Sequence, residues 1–174
     1  MRIITGQYKG RHFEVPRSFK ARPTTDFAKE NIFNVMMGYI DFEEADALDL
    51  FAGTGSISLE LLSRGCNSVV SVEKDRDHAR FIKQCVEKLA TLNHTLIGGD
   101  VFRFLKTCKR QFDFIFADPP YALPTLPDIP DLAMPLLKEG GVFVFEHGKQ
   151  YDFSQHPRFV EHRAYGSVNF SIFQ

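Results

Sequence analysis

Residues 47–65 read "ALDLFAGTGSISLELLSRG". An apolar run ends at Asp49-Leu50-Phe51, a tight turn Ala52-Gly53-Thr54-Gly55 follows, and Ile57, Leu59, Leu61 and Leu62 then pattern a helix. Gly53 and Gly55 accept positive φ and let a ligand approach the backbone closely. A strand passing through such a turn into a helix opens a β-α-β unit, and the helix N-terminus offers free N–H groups.

Outward from this stretch the same alternation repeats. Apolar strands are predicted near 46–51, 68–73, 94–98, 112–117 and 141–146, and helices near 56–64, 75–91, 101–109 and 128–138. Strands this apolar, separated by helices, predict a parallel sheet covered on both faces. The tail breaks the rhythm: "FVEHRAYGSVNFSIF" (159–173) is two β-prone runs joined at Tyr165-Gly166-Ser167, an antiparallel hairpin closing the sheet edge. The sum is a mostly parallel, doubly wound, seven-stranded α/β sheet. Ahead of it, "MRIITGQYKGRHFEVP" (1–16) predicts a β-hairpin turning between Gly6 and Gly10. Residues 20–40 predict a helix capped by Thr25 or Asp26, with Phe27, Ile32, Phe33 and Met36 or Met37 at helical spacing. Two parts are therefore expected, a hairpin-helix extension over 1–40 and the α/β unit over 41–174.

Bulk properties narrow the classes. The 174 residues suit one domain with a short extension, and 44% hydrophobic residues are enough for a core. Net charge is −1, but residues 1–29 hold seven Lys and Arg against two acids, a local patch suited to phosphates or a solvated arm. Cys66, Cys85 and Cys108 form no C-x-x-C pair and the histidines form no cluster, so neither a disulfide framework nor a metal site is expected, and a reducing cytoplasm fits. No apolar stretch approaches the ~18 residues of a membrane span, and the N-terminus lacks a signal-peptide core.

Three ligands compete for the glycine turn. A P-loop needs a Lys after the last glycine, and none follows Gly55. A dinucleotide fingerprint needs a third glycine where Ser58 stands. S-adenosylmethionine has no phosphate but carries a sulfonium and an ammonium group, so Asp49 just before the turn can receive its amino group. Glu73 ends the next strand, at the distance expected of a ribose-binding acid. Asp100 follows the third strand, placed for an adenine amine, with Val101 and Phe102 flanking the ring. A helix N-cap is the plain alternative for Asp100 and for Asp75. Acids at successive strand ends, combined with Gly-x-Gly, point to a cofactor site.

A second stretch, "DFIFADPPYALP" (113–124), ends a buried strand in Asp118-Pro119-Pro120-Tyr121. Two prolines stop the sheet ladder and stiffen the chain. The sequence here resembles the Rossmann-like class I methyltransferases that use S-adenosylmethionine: "LDLFAGTG" is similar to their first motif, and "DPPY" to the fourth motif of those that methylate amine or amide nitrogens. "RIITGQYKGRHFEVP" with "RPTTDFAKENIFNVM", and also "SRGCNSVVSVEKD" and "LLKEGGVFVFEHG", resemble the RsmD-like small-subunit (16S) ribosomal RNA guanine-N2 methyltransferases. The resemblance covers nearly the whole chain. It implies cofactor contacts at Asp49, Phe51, Gly53, Gly55, Glu73, Lys74, Asp100 and Val101, and a catalytic loop at Asp118, Pro119, Pro120 and Tyr121. It also implies an RNA-facing arm that includes Arg2, Lys9, Arg11, Arg22 and Thr24 and closes over the cofactor. Small-subunit ribosomal RNA or the ribosomal subunit is the implied partner of a cytoplasmic monomer needing no metal and no membrane. Pro124, Pro127 and Pro130 after Tyr121 depart from the family pattern where the substrate mouth is shaped. The competing functions are a DNA adenine-N6 methyltransferase, which needs a target-recognition domain, and a protein-glutamine methyltransferase, whose loop begins with Asn. A non-catalytic ribosome-assembly factor would leave the Asp-Pro-Pro-Tyr loop without a purpose. A nicotinamide dehydrogenase would require a Tyr-x-x-x-Lys that is missing.

Overall fold

A computed structural model describes residues 1–21 and 23–174; Arg22, assigned above to the RNA-facing arm, lies outside the described residues. Five parallel strands form where the apolar runs predict them: β1 (Asp46–Leu50), β2 (Ser68–Glu73), β3 (His94–Gly98), β4 (Phe112–Ala117) and β5 (Leu137–His147). The tail folds as β6 (Phe159–Tyr165) and β7 (Val168–Phe173), with β7 antiparallel to both β5 and β6. The sheet order is β3-β2-β1-β4-β5-β7-β6, the expected seven strands. Chain order reverses between β1 and β4, and in open α/β sheets the crevice at the carboxyl ends of such a pair is where ligands bind.

Period-2 alternation splits the core between two faces. Phe114, Phe116, Val142 and Val144 face α1 (Asp26–Met36), α2 (Ser56–Ser63) and α3 (Arg76–Leu89). Leu48, Leu50, Ile115, Phe143 and Phe145 face α4 (Val101–Thr107) and α5 (Ile129–Ala133). Phe112 joins the second face out of phase, because the β4–β5 register shifts between Phe112 and Phe114. The segment predicted as one helix over 128–138 is instead a 3-10 turn (Leu126–Asp128), the five-residue α5 and a second 3-10 turn (Met134–Leu136), with β5 starting at Leu137. Pro127, Pro130 and Pro135 each lack the N–H that a continuous helix requires, so each sits in the first turn of a new short piece.

The N-terminal hairpin reduces to one antiparallel bridge, Arg2 to His12, flanked by bonds from Ile3 N–H to the Arg11 carbonyl and from Phe13 N–H to that of Met1. Thr25 caps α1, its Oγ1 accepting from Ala28 N–H at 3.3 Å. Ile32, Phe33 and Met36 are buried, whereas Phe27 and Met37 point outward at 61% and 62% exposure. Lys29, counted above in the basic arm, is 1% exposed. Its Nζ donates to the Arg2 carbonyl at 2.6 Å and to Ser56 Oγ at 3.0 Å, and stands 3.7 Å from Glu60. Burial lowers the Lys29 pKa while Glu60 opposes that shift. Glu60 also accepts from Ile4 N–H, Thr5 N–H and Arg64 Nε. This buried node ties the first residues to α2, and Ile3, Phe13, Ile32 and Phe33 share one apolar cluster with Ala47, Leu59 and Phe114. From there the chain returns across the carboxyl end of the sheet, where Phe19 packs on His78 with ring centroids 4.5 Å apart.

Candidate active site

A cavity of about 750 Å³ opens at the carboxyl ends of β1, β2, β4 and β5. Its floor is the turn after β1. Phe51, Gly53 and Gly55 all have positive φ, at 58°, 57° and 80°; for Phe51 that is a left-handed conformation that side chains rarely adopt. Gly53 lines the cavity, and its N–H donates to Glu73 Oε2 at 2.6 Å. Gly55 does not line it. A Cβ there would stand 2.9 Å from Ile82 Cγ1, so this glycine lets α3 pack against the turn.

The acids at the strand ends converge. Glu73 is held at both oxygens, Oε2 by Gly53 N–H and Oε1 by Asp75 N–H at 2.9 Å, and His78 Nδ1 lies 4.0 Å from Oε1. Each Glu73 oxygen keeps a lone pair for a hydroxyl. Asp49 Oδ2 accepts from Ser58 N–H at 3.1 Å and Ser58 Oγ at 2.6 Å. Burial nonetheless pushes its pKa up to about 7, against those bonds and with help from Glu73. Ser58, which spoils the dinucleotide fingerprint, is therefore the partner that orients Asp49. Asp100 caps α4 through Arg103 N–H at 3.0 Å and also lines the cavity, so the cap and the ligand-facing position coincide. Phe51 and Phe102 meet edge to face at 6.2 Å beside it.

At the far wall, Asp118 follows β4. Burial raises its pKa well above the carboxylate range, and the nearby carboxyls of Glu146 and Asp49 add to the rise. Tyr121 keeps 38% of its surface exposed and donates its hydroxyl to Glu146 Oε1 at 2.8 Å. Burial, then Glu146 and Asp118, raise the Tyr121 pKa. Glu146 is 6% exposed, and its own pKa is pushed up to about 7 by burial despite the Tyr121 bond. Among the described residues, six carboxyl residues line the cavity (Asp49, Glu73, Asp75, Asp100, Asp118 and Glu146) against two lysines, Lys20 and Lys74. Such a lining repels a pyrophosphate and suits a cationic, hydroxyl-bearing, phosphate-free ligand. S-adenosylmethionine fits this donor set. A second cavity of about 800 Å³, lined by Thr5, Met37 to Glu43 and Arg64 among others, lies at the amino ends of the strands, away from these groups.

A family model described as "Conserved hypothetical protein 95" matches residues 1–174. The chain belongs to this family. It is 36% identical over 162 residues to the Bacillus subtilis strain 168 protein YlbH, named provisionally as an rRNA methyltransferase, covering 87% of this chain and 85% of that one. It is 37% identical over 124 residues to "Ribosomal RNA small subunit methyltransferase D" of Escherichia coli K12, covering 70% of this chain and 60% of the relative's length. Among solved structures, the Escherichia coli protein yhhF, provisionally titled a methyltransferase, superposes with a TM-score of 0.85 at 27% identity, over 100% of this chain and 97% of that one. The RsmD-like resemblance of the motifs and these relatives agree.

Within this RsmD-like fold, Asp49, Phe51, Gly53, Glu73, Lys74, Asp100, Val101, Asp118, Pro119, Pro120, Tyr121 and Thr24 all line the one cavity. Arg2, Lys9 and Arg11 do not. Arg2 pairs with Asp26 at 3.0 Å, Arg11 Nη2 donates to the Lys88 carbonyl at 2.9 Å, and Lys9 is exposed elsewhere. Lys20, Ala21, Pro23 and Thr24 supply the strap over the cavity. Among the described residues no group of three or more His, Cys, Asp or Glu side chains is arranged to hold a metal, and no helix is long and apolar enough to cross a membrane. Sequence reasoning missed Glu146, although its signal was present. It ends the run Val142-Phe143-Val144-Phe145 as Asp118 ends Phe114 to Ala117, and Ala117 pairs with Phe145 across the two strands.

Proposed function

We propose that this chain transfers a methyl group from S-adenosylmethionine to the exocyclic N2 amine of a guanine in small-subunit ribosomal RNA. One observation carries the proposal: Asp118 and Tyr121 share a single cavity with the glycine turn and with Glu73, so an acceptor base and a methyl donor meet between β1 and β4. The donor supplies a methyl group on a positively charged sulfur. Glu73 receives the ribose hydroxyls, its carboxylate held fixed by two backbone N–H bonds. Asp49, oriented by Ser58, receives the ammonium group. Phe51, Val101 and Phe102 supply apolar walls for the adenine, with Asp100 at its amine.

The guanine amine attacks poorly because its lone pair is delocalised into the ring. Asp118 accepts one of its N–H bonds and a backbone carbonyl beside Pro119 accepts the other. Two fixed acceptors favour the pyramidal nitrogen of the transition state and aim its lone pair. The amine acquires positive charge as its nitrogen–carbon bond forms and the donor's carbon–sulfur bond breaks, the electron pair leaving on sulfur as a neutral thioether, and the amine's proton then passes to Asp118. The raised basicity of Asp118 suits it to that step. Pro119 and Pro120 hold the loop stiff. Tyr121, anchored by its hydroxyl on Glu146, presents a ring face for an extruded base. Lys20 and Lys74 at the mouth are exposed to meet phosphates.

The test is a choice of acceptor. The purified protein and tritiated S-adenosylmethionine are offered unmethylated small-subunit particles, the RNA extracted from them, double-stranded DNA and bulk ribosomal protein. Label entering RNA, free or in particles, supports the proposal. Label entering DNA or protein instead refutes it.

A further inference from the structure

The transfer described above uses Glu146 only as an anchor for Tyr121, which leaves half of its carboxyl group unexplained. Oε1 accepts the Tyr121 hydroxyl at 2.8 Å. Oε2 is buried with no hydrogen-bond partner among the described residues, the one such buried side-chain atom found there. An isolated buried acceptor is costly, and a second carboxyl beside it raises that cost. Glu146 stands next to Asp118, because the parallel register pairs Ala117 with Phe145. Both line the same cavity wall. A native structure keeps such an atom where a ligand, an ion or an ordered water completes it, and the place of Glu146 on the cavity wall favours a ligand N–H.

We infer that Glu146 reads the target base, its free Oε2 accepting the ring N1–H of the guanine whose N2 amine Asp118 holds. The inference rests on the methyl-transfer proposal above. Guanine presents N1–H and the N2 amine side by side, both of them donors. An ionised carboxylate is acceptor-only. Two carboxyls on adjacent strands, which run ~4.8 Å apart, can converge on two adjacent donors. Adenine offers a lone pair at the matching ring nitrogen beside its own amine, and that lone pair faces the Glu146 oxygen unfavourably. The same Asp-Pro-Pro-Tyr loop could aim either amine, so the discrimination falls to Glu146. Tyr121 couples the two tasks: its hydroxyl fixes Oε1, which leaves Oε2 for the edge of the base that its ring stacks on.

The test uses small-subunit RNA carrying either guanine or 2-aminopurine at the methylated position. 2-Aminopurine keeps the N2 amine but has a lone pair in place of N1–H. Wild-type protein is expected to favour guanine by roughly 10²-fold or more in kcat/KM, because the analogue leaves a site group unpaired. Glu146→Gln keeps an oxygen for the Tyr121 hydroxyl and turns an amide N–H toward the base. It should lower transfer to guanine, raise transfer to 2-aminopurine and shrink the preference at least tenfold. Glu146→Ala should lose the preference without gaining on 2-aminopurine. Calorimetric binding of S-adenosylmethionine verifies that both variants remain folded, and 2-aminopurine fluorescence reports RNA binding separately. Equal losses on both bases in Glu146→Gln, with the preference intact, would overturn the role given to Glu146 while leaving the methyl-transfer proposal standing. A wild-type protein that labels no guanine would overturn both.

Discussion

Replacing Glu60 by alanine is expected to destabilise the protein far more than its distance from the reaction suggests. Glu60 is fully buried and accepts from Ile4 N–H at 2.9 Å, Thr5 N–H at 3.0 Å and Arg64 Nε at 3.1 Å, with Lys29 Nζ at 3.7 Å. Truncation strands the ammonium of Lys29, which is 1% exposed. Removing one partner of a buried pair costs about 3–5 kcal/mol. The two freed backbone N–H groups can reach water only if the N-terminal residues lift away, so their cost becomes a loosening of that segment. Lys29 keeps its bonds to the Arg2 carbonyl and Ser56 Oγ, which holds the loss within that range. In a chain of this length the melting temperature should fall by roughly 6–20 °C. Urea unfolding measures the loss, and calorimetry with S-adenosylmethionine should show weaker binding, because the strap residues Lys20, Ala21, Pro23 and Thr24 follow the same segment. Adding Lys29→Met to Glu60→Ala removes the stranded charge and should restore at least half of the stability. A loss below about 1 kcal/mol in the single variant, or a double variant as unstable as the two single losses summed, would show that Lys29 and Glu60 do not depend on each other.

Asp118→Ala should bind S-adenosylmethionine nearly as the wild type does yet turn over roughly 10²–10³-fold more slowly; calorimetry and single-turnover transfer on the same preparation separate the two. Tyr121→Phe should keep the stacking face but leave Glu146 with neither oxygen bonded. Its rate should therefore drop less than that of Tyr121→Ala while its activity profile moves toward higher pH, which a pH–rate comparison reads. Gly55→Ala should cost about 1–2 kcal/mol for the left-handed backbone alone, plus the contact 2.9 Å from Ile82, seen as a lowered urea midpoint with unchanged slope. Burial raises the folded-state pKa of both Asp49 and Glu146 to about 7, while the unfolded chain ionises them near pH 4. Their protonated forms favour the fold, so stability should be greatest at the acid side of this window and fall between about pH 4 and 7, by roughly 3–4 kcal/mol for each group at most. Glu146→Gln should flatten that slope in urea titrations at successive pH values.

Most of the sheet was legible because each strand is an apolar run bounded by turn residues, and because three of the following helices begin on a glycine or an aspartate: Gly55, Asp75 and Asp100. The segment after Tyr121 was not, since its periodicity looks helical while Pro127, Pro130 and Pro135 divide it into short turns. The sequence presents the two glycines as one ligand-facing unit, but only Gly53 reaches the cavity; what Gly55 accommodates is Ile82, a contact set by how α3 packs. Counting charge without regard to helix face misplaces Lys29. It precedes Ile32, Phe33 and Met36 at spacings of three, four and seven, on the buried side of α1. Its partner Glu60 stands on another helix, a pairing that tertiary structure alone reveals. Glu146 was hidden for a related reason: its meaning comes from standing beside Asp118 on the adjacent strand, and strand order is not written locally in the chain.

The same buried node connects fold to function. Lys29 and Glu60 fix the N-terminal residues, Phe19 seats the returning segment on His78, and Lys20, Ala21, Pro23 and Thr24 complete the cavity in which Glu73, Asp49 and Asp118 converge. The decisive measurement is tritiated methyl transfer to small-subunit particles from a strain lacking this protein, followed by digestion to nucleosides and chromatography. The label is expected in N2-methylguanosine, at a single position in the RNA. Label in N6-methyladenosine, or in guanosine methylated at any other atom, would contradict the account.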